Sequence, residues 1–326
     1  MATMPAVSTF TILGSGASSG VPFLGCVLED PGSGLPGCCA VCRDAHEHPL
    51  SSPNRRGNVS CALRFQRPDG GGEFNVVVDC GKTFRDTVAR VWPRLAPPLR
   101  RVDALLLSHP HADAFMGMDC LREVAPKAQI HVYLHEPTYA HVCAAFPYLV
   151  PHGASAAATT FIANLVFHVI HPWVPFVLEG SGGLVVTPVP VEHSDTLGAP
   201  HYPQEESCLA FEFGCVLRAP PLPPPGGAGA PPPSPLPPST PPQGGAGAPP
   251  PPPSPPPQWD ARTLPRGGTP GAPLALDGRG LPLLPPFSGD RVLWVSDLRA
   301  LSAEARAYFA ARPVAVLCLD ALGLRK

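Results

Sequence analysis

The stretch Leu105-Leu106-Leu107-Ser108-His109-Pro110-His111-Ala112-Asp113-Ala114 decides how the rest of the chain reads. The run ending at Leu107 is apolar and has the length of a buried strand. Directly after it stand His109, His111 and Asp113, spaced i, i+2 and i+4. In an extended backbone that spacing points three side chains the same way. Imidazole and carboxylate are ligands for zinc, manganese or iron. Three such groups in five residues at the end of a strand predict a metal site.

Working outward, the pattern repeats. An apolar strand over Leu184 to Val191 runs into Glu192-His193, and another over Arg291 to Val295 runs into Ser296-Asp297. A third, Val314 to Leu319, ends in Asp320-Ala321-Leu322. Upstream, Ser8 to Leu13 reads as a first strand that enters the small-residue turn Gly14 to Gly20. That turn lacks the lysine of a phosphate-binding loop, so a tight turn is the better reading. Cys61 to Phe65 and Asn75 to Asp79 read as a hairpin across Gly70-Gly71-Gly72. Thr83 to Trp92 reads as a helix, Gly117 to Val124 as the start of another, and Ser302 to Ala311 as a third. Ile130 to Leu134, Leu165 to Ile170 and Ser207 to Leu217 are further strands. Arg55 and Arg56 lie in a polar loop and, by residue type, read as a solvated pair.

Cys39 and Cys42 have the spacing of a zinc knuckle, with Cys26 as a third thiolate. A redox pair or ordinary buried thiols are the rival readings. A complete zinc site needs a fourth ligand, and Cys38, His46 and His48 are all candidates.

Composition bounds the rest. The 326 residues are 44% hydrophobic with a net charge of -2, which gives no sign of a general nucleic-acid or membrane-surface binder. No apolar run reaches the length of a membrane span. Met1 to Thr11 lacks the basic and apolar parts of a signal peptide, so a cytoplasmic location is expected. Eleven cysteines without such a signal suggest thiols and metal ligands. Over 219–286 the chain turns to Pro, Gly, Ala and Ser and takes in more than half of the 49 prolines. Such a segment has too little apolar surface to offset ordering entropy, and it reads as a disordered insertion extruded from a loop. The expected organisation is therefore one domain in two parts, 1–218 and 287–326, around that insertion.

The strand ending in His-x-His-x-Asp, the later strand-end His and the later Ser-Asp resemble the metallo-β-lactamase-fold hydrolases. Within them the likeness is to the phosphoribosyl cyclic phosphodiesterase branch and its plant and fungal relatives. Gly14-Ser15-Gly16, Cys26 with Cys39 and Cys42, Asn54-Arg55-Arg56, Val78-Asp79-Cys80-Gly81 and Leu319-Asp320-Ala321-Leu322 carry it further.

The resemblance implies an α/β fold, an αββα four-layer sandwich with metals at one edge between the sheets. It implies that His109, His111 and His193 hold a first divalent ion, zinc or manganese. Asp113 would hold a second and Asp297 would bridge both, the two carboxylates also acting in catalysis. Cys26, Cys39 and Cys42 would hold a structural zinc. The implied activity is a metal-dependent phosphodiesterase acting on a small, cyclic phosphodiester through a metal-bound hydroxide. Ala114 stands where many members of the family place a second-metal histidine. The chain also stops at Lys326, where the resembled proteins continue with further histidines. A C-terminally truncated member with a weak second metal and impaired activity is thus expected. The competing function is a non-catalytic protein of this fold whose Pro-rich segment binds SH3- or WW-like grooves.

Overall fold

The structure, a computed structural model, describes residues 7–28, 38–67, 69–95, 97–124, 128–150, 162–193, 208–214, 292–296, 301–310 and 316–319. The Pro-rich segment 219–286, Asp297 and Asp320 lie outside them. Strands β1 (Val7–Gly14), β2 (Ser60–Gln66), β3 (Glu73–Val78), β4 (Ala104–Leu106), β5 (Gln129–His135) and β6 (Asn164–Ile170) form a six-stranded sheet in chain order. Strands β7 (Phe176–Val177), β8 (Val185–Val191), β9 (Cys208–Gly214), β10 (Val292–Val295) and β11 (Val316–Leu319) form a second sheet, ordered β11-β10-β9-β8-β7. The helices are α1 (Leu24–Val27), α2 (Ala40–Glu47), α3 (Phe84–Val91), α4 (Ala112–Phe115), α5 (Leu121–Val124), α6 (Glu136–Ala145) and α7 (Ala303–Ala310).

Alternation along the strands explains the layers. Cys61, Leu63 and Phe65 of β2 and Phe74, Val76 and Val78 of β3 turn to one side. There they meet Leu209, Phe211 and Phe213 of β9 and Val292 and Trp294 of β10 in one buried core. Phe65 and Phe213 join the two sheets with ring centroids 6.2 Å apart. Each such ring, buried, is worth roughly 1.5–3 kcal/mol. The intervening residues of the second sheet, Cys208, Ala210, Leu293 and Val295, pack outward with Ala305 of α7. On the other side, α3 lies beside β1, and α6 lies beside β5 and β6. This is the αββα arrangement that the sequence led us to expect.

Both sheets are mixed. The hairpin β2–β3 is antiparallel as read, whereas β3, β4, β5 and β6 run parallel. Parallel strands deliver their C-terminal ends to one edge, where sites in open α/β sheets form. In the second sheet β8 and β10 flank β9 antiparallel to it, so their C-terminal ends lie beside the start of β9.

Three local readings need correction. The metal motif is extended only as far as His111 (φ -82°, ψ 153°), which caps α4, and Asp113 sits in that helix's first turn. An acidic residue is favoured there by the helix dipole. The helix expected over Gly117 to Val124 is a 3₁₀ turn, Met118–Cys120, followed by the short α5, because the Gly117 N–H is held by the Cys80 carbonyl at 2.7 Å. Helices α2 and α6 and strand β7 went unread. Among the described residues no helix is long and apolar enough to cross a membrane.

Candidate metal centre

The histidine site is assembled from the segments that leave two strand ends. Strand β4 delivers Ser108 and His109, α4 delivers Asp113, and β8 delivers His193. Loop and turn are fastened by backbone contacts. The Cys80 N–H donates to the Ala114 carbonyl at 2.7 Å, and the Leu209 N–H crosses between the sheets to the Ser108 carbonyl at 2.9 Å. Gly81 makes the first contact feasible: a Cβ there would lie 1.8 Å from the Asp113 carbonyl oxygen.

His109, His111 and His193 come together so that their ligand atoms all lie within 4.8 Å of one another. The His111 Nδ1 to His193 Nε2 distance is 3.0 Å. Nitrogens of a tetrahedral zinc site, with bonds of about 2.0–2.1 Å, stand about 3.3–3.4 Å apart, so small adjustments admit an ion. Asp113 joins from the side, its Oδ1 3.9 Å from His109 Nε2. That oxygen is buried and accepts no hydrogen bond among the described residues. A buried carboxylate oxygen left so is costly unless a cation meets it. The donor set therefore fits a divalent metal.

Behind the ligands lies a polar relay that the residue types alone did not reveal. Asp79 follows β3 in the left-handed region, φ 58°, which Asp tolerates better than most residues. Its Oδ1 accepts the Ser108 N–H at 2.8 Å, and its Oδ2 accepts the hydroxyls of Ser108 at 2.7 Å and Ser296 at 3.1 Å. With its proton so committed, Ser108 Oγ is left to accept Nδ1–H of His109 at 2.8 Å. With Asp79 ionised, this arrangement places the imidazole hydrogen of His109 on Nδ1 and leaves a lone pair at Nε2, toward Asp113. Burial, then the neighbouring His193 and His111, hold the His109 pKa well below its ordinary value, so the ring is neutral, as a ligand must be. Burial pushes Asp79 up to about 7, against the pull of its Ser108 hydrogen bonds. Cys208, fully buried, closes the back with Sγ 3.3 Å from the Ser296 carbonyl oxygen. The signal for the relay was present: Asp79 ends an apolar strand as the ligands do, and a serine precedes both His109 and Asp297.

The sulfur cluster is more local. Sulfurs of Cys26, Cys39 and Cys42 lie within 4.8 Å of one another. Each accepts a backbone N–H: Cys26 from Cys39 at 3.1 Å, Cys39 from Cys42 at 3.4 Å, and Cys42 from Phe23 at 3.4 Å. Cys39 caps α2, and the Cys42 N–H that it accepts holds its thiol below the ordinary value. Amide hydrogens aimed at three sulfurs stabilise thiolate charge, so this set also fits a metal.

Of the basic loop, Arg55 pairs with Asp86 at 3.3 Å and Arg56 is exposed. Both line an open cleft of about 440 Å³ with Arg90 and Ser15.

Residues 74–216 match the family model described as a beta-lactamase superfamily domain. An octanoyltransferase of Porphyromonas gingivalis (strain ATCC BAA-308 / W83) is 30% identical over 125 residues, 38% of this chain and 20% of that protein. The chain thus aligns with only a fifth of that relative's length. Among solved structures, a diphosphatase from the PhnP family is 26% identical, covering 65% of this chain and 63% of that one, with a TM-score of 0.42. Zinc-bound PqqB from Methylobacterium extorquens is 20% identical over 63% and 60% of the two chains, with a TM-score of 0.43. The short form of human tRNase Z is 15% identical over 64% and 68%, with a TM-score of 0.37.

Proposed function

We propose that this chain, whose residues 74–216 match a beta-lactamase superfamily domain, is a metal-dependent hydrolase, and that its substrate is a small phosphodiester. The observation that carries the reading is the convergence of three imidazoles and a buried carboxylate oxygen at one sheet edge. His109, through Nε2, would hold the ion with His111 and His193, and Asp113 would approach from the side. Asp297, placed by sequence directly after Ser296, is the further carboxylate of this reading. A divalent ion held there supplies Lewis acidity to water and to a phosphoryl oxygen.

The remaining steps belong to the chain. Asp79 and Ser108 hold the proton of His109 on Nδ1, which keeps Nε2 a donor and the ring in one orientation. Asp113, whose Oδ1 would meet the ion, would also help to orient the attacking water beside it. Ser108 and His109, both fully buried, exclude bulk water behind the ligands. The phosphodiester class rests on the motif likeness, from Gly14-Ser15-Gly16 through His109-x-His111 to Ser296-Asp297.

The test is hydrolysis of bis-p-nitrophenyl phosphate by the full chain, metal-stripped and then reloaded with zinc or manganese. The expected result is turnover that appears with metal and disappears in His193→Ala. Turnover that is indifferent to metal, or unchanged in His193→Ala, would overturn the assignment. A protein that binds metal at the edge and cleaves p-nitrophenyl acetate but no phosphodiester would keep the hydrolase and reject the substrate class.

A further inference from the structure

The sulfur cluster has three built positions and leaves a fourth to be found. We infer that Cys38 supplies it, so that the segment 23–42 holds one zinc as a four-sulfur site. This inference concerns a separate site and stands whether or not the histidine edge hydrolyses a phosphodiester.

The distance is the first argument. Cys38 Sγ lies 3.8 Å from Cys26 Sγ. Zinc–sulfur bonds of about 2.3 Å at tetrahedral angles put neighbouring sulfurs about 3.8 Å apart. A disulfide between the two would need about 2.05 Å, nearly half that separation. The rivals are the second argument. His48 places Nδ1 3.3 Å from Asp44, and its side chain is 57% exposed, so it is engaged away from the sulfurs. His46 is exposed on α2; like Cys38 it stands outside the three sulfurs that already converge, but unlike Cys38 it has no contact with any of them among the described residues.

Charge is the third. Four thiolates around one zinc leave a net charge of -2 by formal count, which needs a nearby cation. Arg43 supplies one, its guanidinium donating to the Cys38 carbonyl at 3.0 Å. The same bond fixes the backbone that presents Cys38. Where the other three sulfurs accept amide hydrogens, Cys38 Sγ instead leans on the Cys39 carbonyl oxygen at 3.7 Å. The fourth position is thus the least prearranged, and it closes when the metal binds.

The test uses the full chain, reduced and metal-stripped, and titrates it with cobalt(II). Thiolate-to-cobalt absorption reports sulfur ligands alone, so an ion among the histidines does not contribute. In Cys38→Ser we expect that absorption to fall by about a quarter, one ligand of four, and zinc affinity to fall roughly tenfold or more. In His46→Ala both should match the parent chain. Alkylation of the unsubstituted protein gives an independent reading that requires no variant to fold. Zinc should protect Cys26, Cys38, Cys39 and Cys42 together from iodoacetamide, as mapped by peptide mass. Three outcomes each overturn the inference: parent-like absorption and affinity in Cys38→Ser, loss in His46→Ala instead, or Cys38 alkylated equally with and without zinc. So does a Cys26–Cys38 disulfide in the metal-loaded protein.

Discussion

The two candidate metal sites are built in opposite ways. The sulfur cluster joins Cys26 of α1 to Cys39 and Cys42 at the first turn of α2, and its sulfurs accept the amide hydrogens of Cys39, Cys42 and Phe23. Cys39 is exposed. The histidine site draws on residues 79–296, from both sheets, with Ser108, His109 and Ser296 fully buried behind it. A local site near the surface, with Cys39 exposed and Cys42 its one buried ligand, has little packing of its own, so metal must contribute to its order. A site on strand ends inherits order from the core, and metal is needed there for chemistry. The difference teaches where each loss should be felt: as local unfolding in one case, as lost turnover in the other.

The strongest way to break this comparison is to remove a ligand from each site. His109→Ala should lower phosphodiester hydrolysis by about 10³-fold or more, several kcal/mol of Lewis-acid stabilisation, with circular dichroism unchanged. Cys42→Ser should leave hydrolysis within a few-fold and make the segment around α2 sensitive to limited proteolysis. If Cys42→Ser silenced turnover as fully as His109→Ala, the two sites would not be separable.

The relay behind His109 sharpens the contrast further. Asp79→Asn keeps an oxygen for the Ser108 N–H but offers amide hydrogens to the serine hydroxyls. Ser108 then donates to His109 Nδ1, and the imidazole hydrogen moves to Nε2, where it blocks the metal. Edge-site metal affinity should fall about 10–100-fold by calorimetry, with the sulfur site unaffected. Parent-like affinity would show that Ser108 does not set the tautomer.

A smaller effect is expected from pH. In the metal-free protein Asp79 titrates at about 7, against about 3.9 in an unfolded chain. Between those values the native state keeps a proton that the unfolded state has released. Stability from this group is therefore full at low pH, declines as pH rises toward about 7, and levels off above. The melting temperature of the parent chain should fall from pH 5 to pH 7.5 by more than that of Asp79→Asn. Equal slopes would remove Asp79 as the cause.

The smallest effect should come from the segment that separates the two parts of the histidine site in sequence. Deleting 219–286 should leave the melting temperature and both metal affinities unchanged, because its composition offers no core. A melting temperature several degrees lower would give the segment a packing role.

Much of this was legible in the sequence, for identifiable reasons. Strand positions came through because β4, β8 and β10 are short apolar runs, and their ends carried His109, His193 and Ser296 in plain view. The ligand groups at His109, His111 and His193 do converge, as do Cys26, Cys39 and Cys42. What stayed hidden depended on contacts between distant residues. Asp79 looked like the end of a strand, and only the fold sets it against Ser108 and Ser296. Helix α6 was unread because its apolar and polar residues are not sorted to opposite sides. Asp113 was read as extended because the preceding residues are, and the turn into α4 is set by the Ala112 and Ala114 contacts to the segment after β3. Asp297 and the Pro-rich segment lie outside the described residues and remain as the sequence states them.

The bond between Ser296 and Asp79 spans 217 residues, and it sets a clock during synthesis. The first sheet pairs its strands in chain order, so by Ile170 all six are available to one another. Its inner face, with Leu63, Phe65, Phe74 and Val76, is covered by the second sheet, whose β10 begins only at Val292. At about 5–20 residues per second, Ser296 follows Asp79 off the ribosome by about 10–40 s. Until then the nascent chain carries a half-formed histidine edge and an apolar face covered only in part, by β8 and β9. The Pro-rich segment occupies the last part of the wait. Its length is therefore a parameter of how long each new molecule needs protection from its neighbours.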